Sequence, residues 1–541
     1  MHLFPHLRIS SIEEKTKVGI FFMELKSETS YVRNIKCADV YTESTSDYSL
    51  PDYLGDVRKI LFTEAALRPS GRFAGGETVE FSGVILYNLI YLDSEGNISS
   101  AEFTSDYEYA VKCSGESYKD AVADTKISAY SIRLLGPRKF SARASLVGSA
   151  RVSEESKIQL SGNALECCST PEVSMGSAEV RACHISSGVE REMAEKLLEL
   201  EGAIADEVSV VYSFAEPIAD SVSAEGDSLT VKGRVRVNAL VKTEDQATFG
   251  VDKVIPFEEQ LDFENAQSHS SFSPNLTVGS LKVSVNPTEK GCDLVADCIV
   301  EICAMAECNE RVELVRDAYL KDAATENSYQ DFRYHTLVDS ATAKGVHNAE
   351  LDRSALESEG LREIVLMTAT PKVEKVELTD EGVNILGEIR YSGIASEIID
   401  DKISYVSIKT NSPFATNVNT TCHNSENMQV EAKVLTHSAS ATLDENKIYF
   451  STSLESCALI LEEREEKILS GFSIKEGETD DVGEAKITVY YPTDGDTLFS
   501  VAKKYRTSVL KVARDNDIAE SVFSSSNPDG KLSGVKKLII Y

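Results

Sequence analysis

Two stretches of this chain repeat each other in register, 150 residues apart. Gly76, Gly83 and Asn88 in the first match Gly226, Gly233 and Asn238 in the second. Between them run the alternating segments Thr78-Val79-Glu80-Phe81-Ser82-Gly83-Val84-Ile85 and Ser228-Leu229-Thr230-Val231-Lys232-Gly233-Arg234-Val235. A third copy starts at Asp380-Glu381-Gly382 and continues through Val383, Ile385, Gly387, Ile389 and Tyr391. A period of two residues puts alternate side chains on opposite faces of a strand. A glycine inside such a run marks a bulge or a close backbone approach. Turns such as Asp93-Ser94-Glu95-Gly96-Asn97 join the strands. Weaker copies lie at Lys290–Val300 and Asp444–Leu454, with a degenerate one at Phe140–Val152. The spacing implies three tandem β-domains, each with two half-units.

Few segments read as helix. Gly188–Ala203 aligns Met193, Ala194, Leu197 and Leu200 and reads as a helical connector; Leu351–Ile364 reads as a second one. Glu476–Glu484 is acidic, contains glycine and lacks periodicity, so it reads as a linker. The expected division is a first β-domain over 1–185, a second over 186–345, a third over 346–475, the linker over 476–484 and a small α+β module over 485–541. The expected fold class is mainly β, with three tandem β-rich repeat domains and a terminal βααβ module.

The terminal module begins with a strand-like run, Ile487–Tyr491, that meets Gly495-Asp496-Thr497. A helix with Leu498, Val501, Ala502 and Tyr505 on one face follows. A second helix carries Val509, Val512 and Ala513 inward, and a strand from Lys537 to Tyr541 closes the chain. Asp496 or Thr497 can cap the first helix and Ser508 the second, while Asn516 can end the second in the left-handed conformation. Gly495, Asp496, Thr497, Leu498, Val501, Ala502, Tyr505, Ser508 and Asn516 meet the pattern of a LysM domain, which the segment resembles. The resemblance implies a shallow groove for N-acetylglucosamine-containing glycan, lined by Asp494, Gly495, Asp496, Thr497 and Leu498 from one loop and Asn516, Asp517 and Ile518 from another. Ser533-Gly534-Val535 departs from the Pro-Gly-Gln of that pattern, so weak or no chitooligosaccharide binding is expected.

The formal charge is −33, but it is unevenly spread: residues 484–541 carry a net +2, leaving −35 on the rest. An acidic body repels nucleic-acid phosphates and anionic membranes, and it favours basic protein surfaces. Met1–Lys15 lacks the apolar core of a signal peptide, and no run approaches a membrane span, so neither export nor membrane insertion is expected. Eleven cysteines lack metal-site spacing, and several alternate with apolar neighbours, which reads as reduced thiols acting as small buried hydrophobes. His2 and His6 flank Pro5 and read as a loose N-terminus rather than a metal pair. No P-loop, Rossmann fingerprint or Gly-x-Ser-x-Gly elbow occurs, and no catalytic residue, cofactor or metal is expected. Arg133–Arg143 is a basic island, read either as a turn at Gly136-Pro137 with solvated charges or as a self-association point.

Asp56–Val111, Pro217–Phe263 and Pro371–Ala415 resemble the SPOCS repeat, a spore-coat-associated domain of endospore-forming Firmicutes. Three such units followed by a LysM-like module imply a non-enzymatic spore-envelope scaffold or adaptor in the mother-cell cytoplasm at the forespore surface. Its terminal module would contact another coat protein, with self-association through the β-domains. The alternative is a peptidoglycan- or N-acetylglucosamine-glycan-binding protein of the wall or cortex.

Overall fold

A computed structural model describes residues 21–23, 27–36, 38–75, 78–112, 118–162, 165–167, 171–243, 247–268, 272–356, 358, 360–399, 402–422, 424–475, 487–518, 529–532 and 534–541. The expected linker Glu476–Glu484, as well as His2 and His6, lie outside them. The fold is mainly β. The first set of strands comprises β1 (Phe21–Met23), β2 (Ser27–Lys36), β3 (Val40–Ser49), β4 (Val57–Gly75), β5 (Thr78–Asp93), β6 (Ile98–Lys112), β7 (Tyr118–Gly136), β8 (Lys139–Gly162) and β9 (Leu165–Cys167). The second comprises β10 (Glu172–Ile185), β11 (Val189–Glu201), β12 (Ser209–Glu225), β13 (Ser228–Lys242), β14 (Thr248–Asp262), β15 (Phe272–Thr288) and β16 (Gly291–Tyr319). The third comprises β17 (Thr325–Asp352), β18 (Leu361–Thr379), β19 (Gly382–Ile399), β20 (Lys402–Val418), β21 (Met428–Leu443) and β22 (Lys447–Ile474). The terminal module holds β23 (Thr488–Tyr490), α1 (Leu498–Lys504), α2 (Val509–Asp515) and β24 (Leu538–Ile540).

One pairing scheme recurs in the three sets. Three strands form an antiparallel meander: β4-β5-β6, β12-β13-β14 and β18-β19-β20. A second sheet is built on one long strand, β8, β16 or β22. That strand pairs antiparallel with its predecessor (β7, β15 or β21) and with the opening segment of its set. The opening segment is β2 then β3 on β8, β10 then β11 on β16, and the single strand β17 on β22. The interruption between β10 and β11 is bridged by buried Ser186, whose N–H donates to the Ala304 carbonyl at 2.9 Å and whose Oγ accepts the Ala304 N–H at 2.9 Å. The weaker sequence copies at 140–152, 290–300 and 444–454 thus fall on or at the start of the three long strands. The expected divisions at 185/186 and 345/346 fall between two strands that share β16 and inside β17.

Within each set the meander packs on the first half of the long strand. Val79, Phe81, Ile85 and Tyr87 meet Ala142, Ala144 and Leu146. Leu229, Val231, Val235 and Val237 meet Cys292, Leu294, Cys298 and Val300, and Val383, Ile385 and Ile389 meet Ile448, Phe450 and Leu454. The repeated glycines have a common reason. Gly83, Gly233 and Gly387 each pair with the residue just before a bulge: Pro69, Ala219 and Val373. Opposite, on the third strand, stand Tyr107, Phe257 and Phe414. A Cβ at Gly233 would come within 2.6 Å of the Phe257 ring, and one at Gly387 within 2.8 Å of the Phe414 ring. The expectation of bulges and close approach at these glycines therefore holds.

A second bulge recurs upstream at Leu61, Val211 and Val365. These three residues join Phe62, Ile90 and Leu92 of the first set, Tyr212 and Leu240 of the second, and Leu366, Ile394 and Tyr405 of the third in one core. The meanders close a ring around it: β6 touches β12, β14 touches β18, and β20 touches β4. The far halves of the long sheets make another shared core from Ile158, Val180, Val312, Leu314, Phe332, Tyr334 and Ile468. Strands of this length are far above the usual five or six residues, because each serves two cores in succession.

Both expected helical connectors are corrected. Gly188–Ala203 contains β11, and Leu351–Ile364 spans the end of β17, a 3₁₀ turn at Arg353–Leu356 and the start of β18. In β11 a bulge between Lys196 and Leu198 shifts the inward set from Val189, Met193 and Leu197 to Leu200. A strand with one bulge therefore copies the spacing of a helical stripe.

Candidate functional site

The expected site lies in the terminal module, where β23 and β24 pair antiparallel with Tyr490 opposite Leu538. Leu498, Val501, Ala502, Val512, Ala513, Leu538 and Ile540 form the core, with Tyr490, Tyr505, Val509 and Ile518 packed against it. Thr497 caps α1: its Oγ accepts the Ser500 N–H at 3.0 Å, and Ser500 Oγ accepts the Thr497 N–H at 3.0 Å. Asp496 has another duty. Its Oδ2 accepts the Thr493 N–H at 2.7 Å, the Thr493 hydroxyl at 2.9 Å and the Tyr490 hydroxyl at 2.9 Å. These bonds, the Thr493 N–H foremost, hold its carboxyl below the usual range. Ser508 stands at the start of α2 but makes no side-chain cap.

Asn516 does not adopt the expected left-handed conformation; φ is −117° there and +53° at Asp517. The Asn516 amide is committed elsewhere. Its Nδ2 donates to the Val512 carbonyl at 2.9 Å and the Ile539 carbonyl at 2.7 Å, and its Oδ1 accepts the Ile539 N–H at 2.6 Å. The helix then closes in a Schellman arrangement, with Ile518 N–H on the Ala513 carbonyl at 2.9 Å and Asp517 N–H on the Arg514 carbonyl at 3.2 Å. Of the expected site residues, Asp494, Gly495 and Asp517 are exposed, Asp496, Thr497, Asn516 and Ile518 are half-buried, and Leu498 is fully buried. Leu498 belongs to the core and Ile518 packs against it. Asp496 is tied to Tyr490 on β23 and Asn516 to Ile539 on β24, so each loop is anchored to one strand of the small sheet.

The module is also clamped to the second set of strands, a contact that no sequence pattern marks. The Tyr319 and Phe499 rings meet edge to face with centroids 5.2 Å apart, and the Tyr319 hydroxyl donates to the Thr507 carbonyl at 2.7 Å. Lys503 Nζ lies 2.5 Å from Asp317 Oδ2, and the Ser174 hydroxyl donates to Asp529. Asp317 is itself fixed by the Tyr329 hydroxyl at 2.9 Å and the Asn327 amide at 2.7 Å. Such an anchor was invisible in sequence because its residues belong to strands that the chain brings to the module only after pairing.

The basic island does form a turn between β7 and β8, but Arg138 is structural: it donates to the Leu54 carbonyl at 2.8 Å, Asp56 Oδ1 at 2.8 Å and the Pro51 carbonyl at 2.7 Å. An open recess of about 420 Å³ on the third meander is lined by Arg390, Tyr391, Ser392, Lys409, Thr410 and Asn411. Among the described residues no helix is long and apolar enough to cross a membrane. Comparison of the chain with protein-family models, with curated proteins and with solved structures found no match.

Proposed function

We propose that the chain is a non-enzymatic assembly scaffold or adaptor, of the spore-envelope kind to which its SPOCS-like and LysM-like segments point. The observation that carries this reading is the closed ring. Three acidic double-sheet units share one core, and a small module of opposite net charge is clamped beside it. A body built this way holds several similar surfaces in fixed relation, which suits binding several partners at once. The module would dock through Asp494, Gly495 and Asp517, whose exposure leaves them open to a partner protein. A second reading, binding of N-acetylglucosamine-containing glycan, draws support from the anchoring of both loops to the β23–β24 sheet.

The test uses the full-length chain and its Asp494→Arg variant. A labelled chain should be recruited to the forespore surface of a sporulating cell, and the variant should lose recruitment with an unchanged melting temperature. Neither should sediment with purified peptidoglycan. Unchanged recruitment of the variant removes Asp494 from the docking surface. Saturable binding of N-acetylglucosamine oligomers, abolished by Asp494→Arg, replaces the adaptor reading with the glycan one.

A further inference from the structure

The third residue beyond each repeat glycine meets the same two neighbours in every meander, one opposite it on the first strand and one diagonal to it on the third. In the second meander this residue is Arg236, with Glu216 opposite on β12 and Asp252 diagonal on β14. Both carboxylates neutralise it. Arg236 Nε lies 3.0 Å from Asp252 Oδ1, and its Nη1 lies 4.0 Å from Glu216 Oε2. In the first meander the residue is Leu86, which has no charge to satisfy. In the third it is Arg390, with Thr370 opposite on β18 and Lys409 diagonal on β20. A hydroxyl thus stands where the second meander has one acid, and a second cation stands where it has the other.

Arg390 and Lys409 are exposed, and among the described residues neither forms an ion pair. Glu388, two residues before Arg390 on the same face, accepts instead from the Asn411 amide at 3.4 Å. Arg390, Lys409, Ser392 and Asn411 line the open recess of about 420 Å³ on this meander. Further along the same face of β20, Ser407 carries a buried hydroxyl oxygen with no hydrogen-bond partner. Diagonal residues lie about 7–8 Å apart on a ladder, a span from which two long basic side chains reach one anion. Like charges held this close repel each other, and an anion between them removes the repulsion. The second meander supplies that anion from its own chain, whereas the third leaves the place to a ligand.

We propose that this recess binds a small phosphate monoester, with its phosphoryl oxygens held between the Arg390 guanidinium and the Lys409 ammonium. Charge selects the phosphoryl group. It carries about −1.5 to −2 at pH 7, which matches two cations, whereas a single carboxylate matches one. Guanidinium also presents paired N–H donors to phosphate oxygens. Size selects a small ligand, because the recess falls within the roughly 300–1,000 Å³ of small-molecule sites. That volume admits a phosphoryl group with a sugar-sized body. The Ser392 hydroxyl and the Asn411 amide then stand ready for the hydroxyls of that body.

The test titrates the full-length chain by calorimetry with glucose 6-phosphate, glucose and succinate. Glucose 6-phosphate should bind saturably with one site per chain, and glucose and succinate should bind at least ~10-fold more weakly. Lys409→Asp gives the third meander the internal pair of the second. This variant should keep its melting temperature and lose at least ~10-fold in affinity for glucose 6-phosphate, and Arg390→Gln should do the same. Should the first variant not fold, the second decides. No saturable binding of glucose 6-phosphate at millimolar concentration overturns the proposal, as does an unchanged affinity in a folded variant. Glucose or succinate bound as tightly as the phosphate ester overturns it too, since the two cations would then not be reading a phosphoryl group.

Discussion

A methyl group at Gly387 would stand 2.1 Å from the Lys372 carbonyl oxygen and 2.8 Å from the Phe414 ring. Neither the bulged backbone nor a ring buried at the sheet can move away without disturbing its neighbours. Gly387→Ala should therefore cost ~1–3 kcal/mol, read as a lower denaturation midpoint. At Gly345 the space is open and no left-handed φ is required, so Gly345→Ala should be neutral or slightly stabilising. Equal effects of the two substitutions would contradict the close-approach explanation. The glycines were legible because a missing side chain interrupts a regular alternation. The ring over each one was not, since only strand pairing decides which aromatic lies opposite. Asp496 carries a second prediction at this scale. Its folded pKa is depressed, so its stabilisation is complete above the unfolded carboxylate value of about 4 and is lost as pH falls through the lower folded value. Asp496→Asn should lower the melting temperature of the module at neutral pH, and the gap should narrow in acid. A gap that stays constant down to the acid limit would show that the bonds from Thr493 and Tyr490 do not depend on charge.

The helix expected over Gly188–Ala203 shows why element type is harder to read than periodicity. Val189, Met193 and Leu197 are four apart, a spacing that fits one helix face and also the same face of a strand. The bulge before Leu198 then brings Leu200 inward and completes the resemblance. Pairing with β16, which needs a partner along its first half, decides in favour of the strand. The two forms make opposite statements about Ala194: a helix would bury it beside Leu197, whereas the strand exposes it. Ala194→Lys should leave stability nearly unchanged, while Leu197→Ala, at a buried position, should cost ~2–5 kcal/mol. A large loss from Ala194→Lys in chemical denaturation would restore the helix. The short helices of the module were legible for the converse reason. The first carries its own cap at Thr497 and needs no distant partner to define its type, whereas the left-handed stop of the second falls at Asp517, one residue past the expected Asn516.

At the scale of the whole molecule, the three sets of strands are joined through positions that sequence alone reads as ordinary core. Leu61, Val211 and Val365 look like alternation errors until the ring places them together. Polar groups cross the same junction. The Tyr212 hydroxyl of the second set donates to the Glu64 carboxylate of the first, and Asn88 also bonds to it. These bonds favour the anion, but desolvation by burial outweighs them, and the Glu64 pKa is raised. The folded chain thus holds this proton more tightly than the unfolded chain. The stability linked to it is complete below the unfolded carboxylate value of about 4 and is lost as pH rises through the folded value. Glutamine keeps an oxygen that can accept from Tyr212 and carries no charge to desolvate. Glu64→Gln should consequently raise the guanidinium midpoint at neutral pH, and the gain should disappear near pH ~4, where the native carboxyl is itself neutral. A variant less stable than the parent at neutral pH would mean that the Tyr212 bond needs the full charge. The junction would then be held by that ion–hydroxyl contact rather than in spite of its burial.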